Sequence, residues 1–249
     1  MTVETILEFL NEYCPFELAE EWDHAGLNVG RKDAAVTKVL VALDATEETI
    51  KAAKEMGAEL LLTHHPLVFD PLAAVTDGSL TGERVLQLAE GGIAHIACHT
   101  NLDAAEGGVN DCLADLCGLE EREPFCGLGR MGLLNTSFTA LAEQLKKGLP
   151  TAHCQGVLAN PQVKKVAVVG GSGGSLLAEA VAAGCDTLVT GEAKYNQLLD
   201  AREYGLNLLV LGHYETEYIV LAPLAEALQK AFPALEVAVL PYQPPMEKF

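Results

Sequence analysis

Two adjacent histidines, His64 and His65, stand where an apolar run ends, in the stretch LLTHHPLVF (residues 61–69). Consecutive residues of a strand point to opposite faces of the sheet, so two adjacent histidines within a strand could not both contact the same site. At the end of a strand the pleat lapses, and Pro66 favours an extended conformation for His65. The two rings could then diverge and each bind a different cation. The alternative is a hydrogen-bonded pair at the mouth of a loop.

The segment HTNLD combines a histidine with a carboxylate. Asp103 follows His99 by four residues, in the loop that leaves an apolar strand. A carboxylate at that point can bind one metal ion or bridge two, although an N-cap or an Asx turn before the next helix would use the same residue type. We interpret His99 as a catalytic proton carrier or substrate contact beside the metal and not as a direct ligand.

The segment GHYETE places His213 and Glu217 four residues apart as well. If a helix begins near His213, both side chains lie on one face of it, which is the spacing that lets two histidines of a helix bind one zinc ion. Glu215 would face away from that side. The alternative is a helix N-terminus at which a first-turn glutamate is favoured by the helix dipole.

Three strand ends therefore supply three imidazoles and two carboxylates, from His64, His65, Asp103, His213 and Glu217. One catalytic zinc ion needs only three protein ligands, so five ligands, one of them able to bridge, suit a pair of metal ions better. Such a pair lowers the pKa of a bound water and clamps the attacking and leaving oxygens of a displacement. Mixed nitrogen and oxygen ligands permit zinc, iron, manganese, cobalt or nickel.

The elements that must position these residues alternate between strand and helix along the chain. The apolar strand patterns are KVLVALDAT, AELLLT, IAHIACH, KKVAVVG, CDTLVTGE, LNLLVLG and LEVAVL. This alternation is typical of a largely parallel sheet covered by helices on both faces, which binds ligands beyond the C-terminal ends of its strands. The segment ETEYIVLAPLAEALQKAF predicts one long helix, and the stretch from Glu120 to about Pro161 interrupts the alternation.

An internal repeat indicates that this α/β plan occurs twice. The segment GAELLLTHH aligns without gaps on GCDTLVTGE, and the same frame recurs at GIAHIACHT and GLNLLVLGH. We therefore predict duplicated β-α-β halves in a layered α/β/α architecture with largely parallel strands. Residues 1–120 would form the first half, with the HHP and HTNLD motifs, and residues 121–249 the second half, with the TGE and GHYETE motifs.

The second repeat adds further candidate site residues. Glu192 occupies the position of His65 and is a candidate catalytic proton carrier, while Lys194 and Tyr195 are candidate contacts to an anionic substrate. The nearby GGSGGS could bind an anion or form a tight turn, but it matches neither G-x-G-x-x-G nor the P-loop pattern.

Three other polar or aromatic residues receive structural interpretations. We interpret Trp22 as a packing anchor, Asp23 as a turn residue and His95, which lies inside a strand, as a core histidine.

The composition narrows the class of protein. The chain has 249 residues, of which 49% are hydrophobic, and a net charge of −19, so nucleic acid and anionic membranes are not expected partners. Seven cysteines without a C-x-x-C pair favour reduced thiols and a cytoplasmic protein. No apolar run approaches the ~20 residues that a membrane span needs. The N-terminal MTVETILEFLNEY predicts an amphipathic helix capped by Thr2.

The motifs EWDHAGLNVG, VALDATEETIKAAKEMGAELLLTHHPLVF, HTNLDAAEGGVND, GLGRMG, VAVVGGSGG, TGE and GHYETE occur in this order over nearly the whole chain. The set resembles the Nif-three-like dinuclear-metal-centre family, also named GTP cyclohydrolase I type 2 homologues. The resemblance implies a toroidal homohexamer with two metal ions per subunit. It also implies metal ligands at His64, His65, Asp103, His213 and Glu217.

These observations lead to one leading functional hypothesis, a dinuclear metal-dependent hydrolase that acts on a nucleotide-like or phosphate-bearing small molecule. Opening of the GTP ring is one candidate reaction, implied only by the name of the family. The same ligands would also serve a protein that stores, delivers or senses metal. A third hypothesis is a regulatory scaffold whose metal supports assembly of the oligomer.

Overall fold

The computed structural model describes residues 1–149 and 154–245 of the chain. The elements up to residue 104 are α1 (Val3–Tyr13), a 3₁₀ helix (Phe16–Leu18), β1 (Gly26–Val29), β2 (Lys38–Ala42), α2 (Glu47–Met56), β3 (Leu60–Thr63), α3 (Leu80–Glu90), β4 (Ala94–Ala97) and α4 (Thr100–Ala104). They are followed by α5 (Val109–Cys117), β5 (Glu120–Phe125), β6 (Gly129–Ser137), α6 (Phe138–Gly148), β7 (Gln155–Val157) and β8 (Gln162–Val169). The last elements are a 3₁₀ helix (Gly173–Leu176), α7 (Leu177–Ala182), β9 (Thr187–Thr190), α8 (Tyr195–Tyr204), β10 (Asn207–Val210), α9 (His213–Tyr218), α10 (Leu221–Ala231) and β11 (Glu236–Val239). None of the described helices is long and apolar enough to span a membrane.

The chain forms two compact units. The first unit contains Met1–Ala105 and Leu221–Gln243, and the second unit contains Glu106–Val220. The chain returns to the first unit after residue 220 because β11 pairs in parallel with β2. The sequence pattern predicted a division of the chain at residue 120. In the structure, residues 106–120 belong to the second unit and residues 221–243 to the first.

The sheet of the first unit has the strand order β1-β4-β3-β2-β11. Among the described residues, the pairs β4-β3, β3-β2 and β2-β11 are parallel, and β1 runs antiparallel to β4. The second unit has a sheet of order β5-β6-β8-β9-β10-β7. Here the central strands β8, β9 and β10 are parallel, with antiparallel strands on both sides. The stretch that interrupts the sequence pattern thus supplies antiparallel strands of this sheet.

The predicted duplication is confirmed by the topology. The series β2-α2-β3-α3-β4 in the first unit and β8-α7-β9-α8-β10 in the second unit each place three adjacent parallel strands with two crossover helices. The glycine that opens each repeated frame, at positions 57, 92, 184 and 205, has φ between 66° and 75°. Only glycine adopts this left-handed conformation at low cost at the end of a helix. The recurring glycine is therefore the local signal that ends each helix before the next strand begins.

Both faces of the second sheet are covered. Val166, Val168, Val189 and Leu209 belong to a cluster that includes residues of α5 and α6. The alternate residues Ala167, Val169, Leu188 and Leu208 belong to a second cluster that includes residues of α7 and α8. Each buried leucine or valine stabilises the fold by about 1.5–3 kcal/mol. The strands are therefore apolar at every position, which explains why they appear in the sequence as continuous runs and not as alternating patterns.

One predicted helix is divided in two. The segment after Gly212 forms α9 and then α10, and α9 is capped at Ile219. Pro223 lies four residues after Ile219, and a proline ring clashes with the carbonyl group four residues earlier. A single helix through both segments is therefore disfavoured.

His95 is a fully buried histidine of β4, as predicted. Thr63 Oγ1 donates to the carbonyl oxygen of His65 at 2.6 Å, so it accepts from His95 Nε2, 2.7 Å away. Burial lowers the pKa of His95 from its ordinary value of 6.5 to about 3. The folded protein thus holds this ring neutral at a pH where the unfolded chain would protonate it.

We expect the free energy of unfolding to fall as the pH drops below 6.5, where the unfolded chain protonates His95 and the folded protein does not. The contribution of this one group is about 1.4 kcal/mol per pH unit. His95→Gln keeps an N–H donor and cannot titrate, so metal-free wild type should lose about 2 kcal/mol more than the variant between pH 6.5 and 5. Urea denaturation at both pH values measures the difference; parallel pH profiles would contradict the assignment.

Candidate metal centre

Three neighbouring strands of the first sheet end in one row. Ala42 of β2, Thr63 of β3 and Ala97 of β4 are paired in parallel register. The backbone N–H groups of His64 and His65 extend the ladder by donating to carbonyl groups at the end of β2, at 3.3 and 3.0 Å. The residues that follow each strand therefore lie along the same carboxyl edge of the sheet, where open α/β sheets bind ligands.

Three imidazole rings meet at this edge. The ring centroids of His64 and His65 are 4.9 Å apart, and that of His99 lies 5.2 and 5.4 Å from them. One ring nitrogen of each residue lies within 4.8 Å of the others. The rings of His64 and His65 thus lie side by side at the end of β3, and their Nδ1 atoms are held by different oxygens. The pleat has lapsed after Thr63, so side-chain alternation no longer separates them.

Each of these rings has its Nδ1 atom against an oxygen. For His64, His65 and His99 in turn, the oxygens are the carbonyl of Cys98 at 2.9 Å, Asp44 Oδ1 at 2.8 Å and Asp23 Oδ1 at 2.9 Å. Carbonyl and carboxylate oxygens only accept, so Nδ1–H is the donor in all three rings. The neutral rings then carry the lone pair on Nε2, as metal-binding histidines do when their other nitrogen is held by a carboxylate or a carbonyl group.

Asp23 anchors a small buried network. Its carboxylate is fully buried and accepts hydrogen bonds from the backbone N–H and the hydroxyl of Thr100, at 3.0 and 2.5 Å, besides the bond from His99. Burial alone would raise the pKa of this carboxyl, but the hydrogen bonds from His99 and Thr100 outweigh burial and hold the pKa well below its usual range. Asp23 is a turn residue, as interpreted from the sequence, since its backbone N–H donates to the carbonyl oxygen of Glu20 at 2.9 Å. Its tertiary contact with His99 adds a role that the sequence interpretation did not give it.

Sequence reasoning missed two carboxylates of this arrangement. Asp44 follows β2 at the same row where His65 follows β3, so the parallel register could have pointed to it. Asp23 gives no such signal, because it lies in a loop 76 residues before His99.

Asp103 contributes an oxygen donor to the same unit. It lies within α4, where its backbone N–H donates to the carbonyl oxygen of His99 at 3.0 Å. Its Oδ1 atom is 3.7 Å from Nε2 of His64, and its side chain is 15% exposed. Asp103 is thus not an N-cap of α5. Three imidazole nitrogens and one carboxylate form a donor set whose chemistry fits a divalent transition-metal ion.

The second unit has its own row of strand ends. Val169 of β8, Thr190 of β9 and Val210 of β10 are paired in parallel register. The glycine-rich loop follows the first of these strands, Glu192 follows the second and His213 follows the third. The repeated topology thus places a second group of polar residues at an equivalent edge.

His213 and Glu217 face each other on α9, with 3.1 Å between Nε2 and Oε2. The side chain of Glu217 is only 5% exposed. Glu192 Oε1 lies 3.5 Å from Nδ1 of His213, and its side chain is 58% exposed. Glu215 turns back toward Gly212 at the start of the helix, away from this pair. An imidazole and a buried carboxylate at this spacing are donors that could hold a metal ion.

The glycine-rich loop after β8 forms a closed turn. The N–H groups of Gly170, Gly171 and Gly173 donate to side-chain oxygens of Asn110, Thr216 and Thr190, at 2.8, 3.0 and 2.9 Å. The loop therefore commits these donors within the protein, which favours the tight-turn interpretation over binding of an anion by the backbone.

A cavity of about 600 Å³ opens beside His213 in the second unit. Its polar wall includes Glu192, Lys194 and the hydroxyl residues Ser172 and Ser175. This volume lies within the range of small-molecule pockets. Tyr195, the other predicted substrate contact, is 76% exposed and does not line the cavity.

Comparison with known proteins identifies the family. The sequence profile of Duf34/NIF3 (NGG1p interacting factor 3) matches residues 1–245. The chain belongs to the Duf34/NIF3 family. A relative from Clostridium perfringens (strain 13 / Type A), named GTP cyclohydrolase 1 type 2 homolog, is 36% identical over 242 residues, which cover 92% of each chain.

Solved structures of the family share the fold. The Staphylococcus aureus protein SA1388 superposes with a TM-score of 0.90 at 26% identity, covering 100% of this chain and 99% of that one. Reduced HcgD from Methanocaldococcus jannaschii gives a TM-score of 0.88 at 32% identity, covering 97% and 98%. Membership of the Duf34/NIF3 family agrees with the resemblance that the motifs carry.

Proposed function

We propose that the protein is a metal-dependent hydrolase of a phosphate-bearing small molecule, with two divalent metal ions held by His64, His65, Asp103, His213 and Glu217. Bound metal ions would lower the pKa of a coordinated water and polarise the bond to be cleaved. In support, each unit presents imidazole and carboxylate donors at the carboxyl edge of its sheet. The names of relatives such as that from C. perfringens make GTP one candidate substrate.

The observation that carries the proposal is the cavity beside His213. A protein that only stores or delivers metal needs no pocket of about 600 Å³ beside a metal ligand. In this cavity the ammonium group of Lys194 would bind a phosphate oxygen, and the hydroxyl groups of Ser172 and Ser175 would add neutral hydrogen bonds. Glu192 lines the same wall and would hold the transferred proton on its carboxylate.

The experiment begins with protein stripped of metal by a chelator and then loaded separately with zinc, manganese, iron, cobalt or nickel. A panel of nucleoside triphosphates, including GTP, phosphomonoesters and phosphodiesters is incubated with each form, and products are identified by mass spectrometry. We expect turnover of a phosphate-bearing compound by a loaded form and none by the stripped protein. Lys194→Gln should then raise KM roughly five- to tenfold with little change in kcat, since it removes one charged contact.

Lys147→Gln, which changes an exposed lysine of α6, is the matched control and should leave KM unchanged. If no loaded form turns over any compound and the bound metal passes readily to a competing chelator, metal handling replaces hydrolysis as the function.

A further inference from the structure

Two aromatic rings stand beside the histidines of the first unit and are only half covered. Trp22 and Phe69 are each 52% exposed, and their ring centroids lie 5.6 Å apart at an interplanar angle of 43°. Both rings also pack against His99, with centroid distances of 5.8 and 6.2 Å. The predicted role of Trp22 as a packing anchor accounts for the covered half of its ring. The exposed halves of this aromatic pair, Trp22 and Phe69, form one continuous apolar surface.

The loop that carries Trp22 is fixed on both sides of that residue. The backbone N–H of Glu20 donates to Thr100 Oγ1 at 2.9 Å, and the backbone N–H of Asp23 donates to the carbonyl oxygen of Glu20 at 2.9 Å. The carboxylate of Asp23 in turn accepts hydrogen bonds from His99 and Thr100. The backbone of Trp22 is therefore held in place, and its ring stays at the surface.

A single asparagine links the loops of the two aromatic residues. Asn28 donates from Nδ2 to the carbonyl oxygen of His24 at 2.9 Å, in the loop that follows the tryptophan. Its Oδ1 atom accepts from the backbone N–H of Val68, the residue before the phenylalanine, at 3.4 Å. Both rings are therefore preorganised, which reduces the conformational entropy that is lost when a ligand binds to them.

The aromatic pair borders the candidate metal donors of the same unit. The ring centroid of His99, which packs against both aromatic rings, lies 5.2 and 5.4 Å from those of His64 and His65. A substrate whose reacting bond lies at these donors therefore has the exposed surface of Trp22 and Phe69 next to it. Large, half-exposed aromatic side chains beside a few convergent polar groups are typical of a ligand-binding surface.

The charges beside the aromatic pair indicate which part of a substrate it would contact. Glu21 precedes Trp22 and Asp70 follows Phe69, and both acidic residues are exposed. Carboxylates repel a phosphate group but accept hydrogen bonds from N–H groups at the edge of a ring. A cation would be the alternative, but aromatic residues that bind a cation form a cage around it, whereas these two rings pack against each other. A neutral planar ring with N–H groups, as in a purine, fits these features best.

We propose that Trp22 and Phe69 form a stacking surface for a planar heteroaromatic ring, so that the substrate is a nucleotide and not a sugar phosphate. This inference rests on the proposed function, whose substrate class it narrows from phosphate-bearing molecules to those that carry a nucleobase. Stacking tolerates any base, because every nucleobase has a π face. The aromatic pair therefore selects for the presence of a base, and hydrogen bonds at the edge of the ring decide between guanine and adenine.

The test follows the fluorescence of Trp22, the only tryptophan of the chain, in zinc-loaded protein. The indole is excited at the long-wavelength edge of its absorption, where purines do not absorb, while guanosine, adenosine or ribose 5-phosphate is added. A base that stacks on the indole quenches its fluorescence. We expect saturable quenching by both nucleosides and none by ribose 5-phosphate. Nucleosides carry no phosphate, so the result does not depend on Lys194 or on hydrolysis.

Substitutions separate stacking from apolar contact. Phe69→Leu removes an aromatic ring but keeps an apolar side chain against Trp22, so it should weaken nucleoside binding roughly five- to 100-fold, the range for loss of a base–aromatic contact. Phe69→Tyr should restore the affinity. Tyr204→Leu changes an aromatic residue of α8 with 53% exposure and is the matched control, with unchanged affinity. Equilibrium dialysis with labelled guanosine serves the variants of Trp22 itself, where Trp22→Leu should weaken binding and Trp22→Phe should keep most of it.

Unchanged nucleoside affinity in Phe69→Leu would overturn the inference, as would equal quenching by guanosine and ribose 5-phosphate. Quenching by choline in place of the nucleosides would assign the aromatic pair to a cation and also reject it. If the protein binds no nucleoside and Phe69→Leu dissociates an oligomer, the pair is an interface between copies of the chain and the inference fails.

The inference and the proposed function fail separately. Hydrolysis of phosphomonoesters that lack a base, by protein in which no nucleoside quenches Trp22, rejects the stacking surface and leaves the hydrolase. Saturable quenching by nucleosides that is lost in Phe69→Leu, in protein that hydrolyses nothing, supports the stacking surface and rejects the hydrolase.

Discussion

Asp103→Ala is expected to lower metal affinity by at least about 100-fold and to abolish hydrolysis of whichever substrate the loaded protein accepts. Asp103 lies in the first unit with its Oδ1 atom 3.7 Å from His64 Nε2, and it supplies a negative charge to a group that otherwise consists of neutral imidazoles. Loss of a ligand should exceed the roughly 10- to 100-fold effect of losing a partner that only orients one. Elemental analysis of protein purified without added metal, together with the turnover rate, measures both effects.

Asp115→Ala is the matched control for Asp103. Its side chain is 70% exposed on α5 and pairs with Arg122, so its removal should change neither metal content nor turnover. Wild-type metal content and activity in Asp103→Ala would remove this carboxylate from the ligand set. Retained metal with lost activity would instead assign Asp103 to substrate turnover alone.

Gly171→Ala should prevent His213 and Glu217 from binding a metal ion. It should lower the stability of the protein no more than Gly184→Ala, which serves as the control for the backbone conformation. Gly171 has a φ of +58°, and a Cβ atom there would overlap Oε1 of Glu217 and lie 3.3 Å from Nε2 of His213. A glutamate carboxylate can swing away from a methyl group at small cost, so the clash should move the ligand and not unfold the protein. We expect one metal ion fewer per chain and a loss of turnover.

Gly184→Ala isolates the cost of the backbone conformation. Gly184 has a φ of +75°, and nothing lies within 4 Å of its added Cβ atom. Both variants should lose about 1–2 kcal/mol of stability, the typical cost of a left-handed L-residue, but only Gly171→Ala should lose metal. Equal metal content in the two variants would contradict the claim that Gly171 leaves the space that the Glu217 carboxylate needs in order to bind metal.

Local sequence patterns were sufficient for much of the fold. Apolar runs gave the buried strands, and the glycines at positions 57, 184 and 205 ended helices as expected, because only glycine adopts a positive φ without strain. The error at ETEYIVLAPLAEALQKAF arose because hydrophobic spacing continued through a segment in which Pro223 disfavours a continuous helix.

The sequence alone determined which residues follow the parallel strands, and with them the candidate donors His64, His65, Asp103, His213 and Glu217. Strand ends can be predicted because they depend on residues that are neighbours in the chain. Only the tertiary structure brought Asp23 to His99 across 76 residues and placed Gly171 against Glu217. Such contacts depend on the packing of whole elements, whose free energy is not encoded in any local pattern.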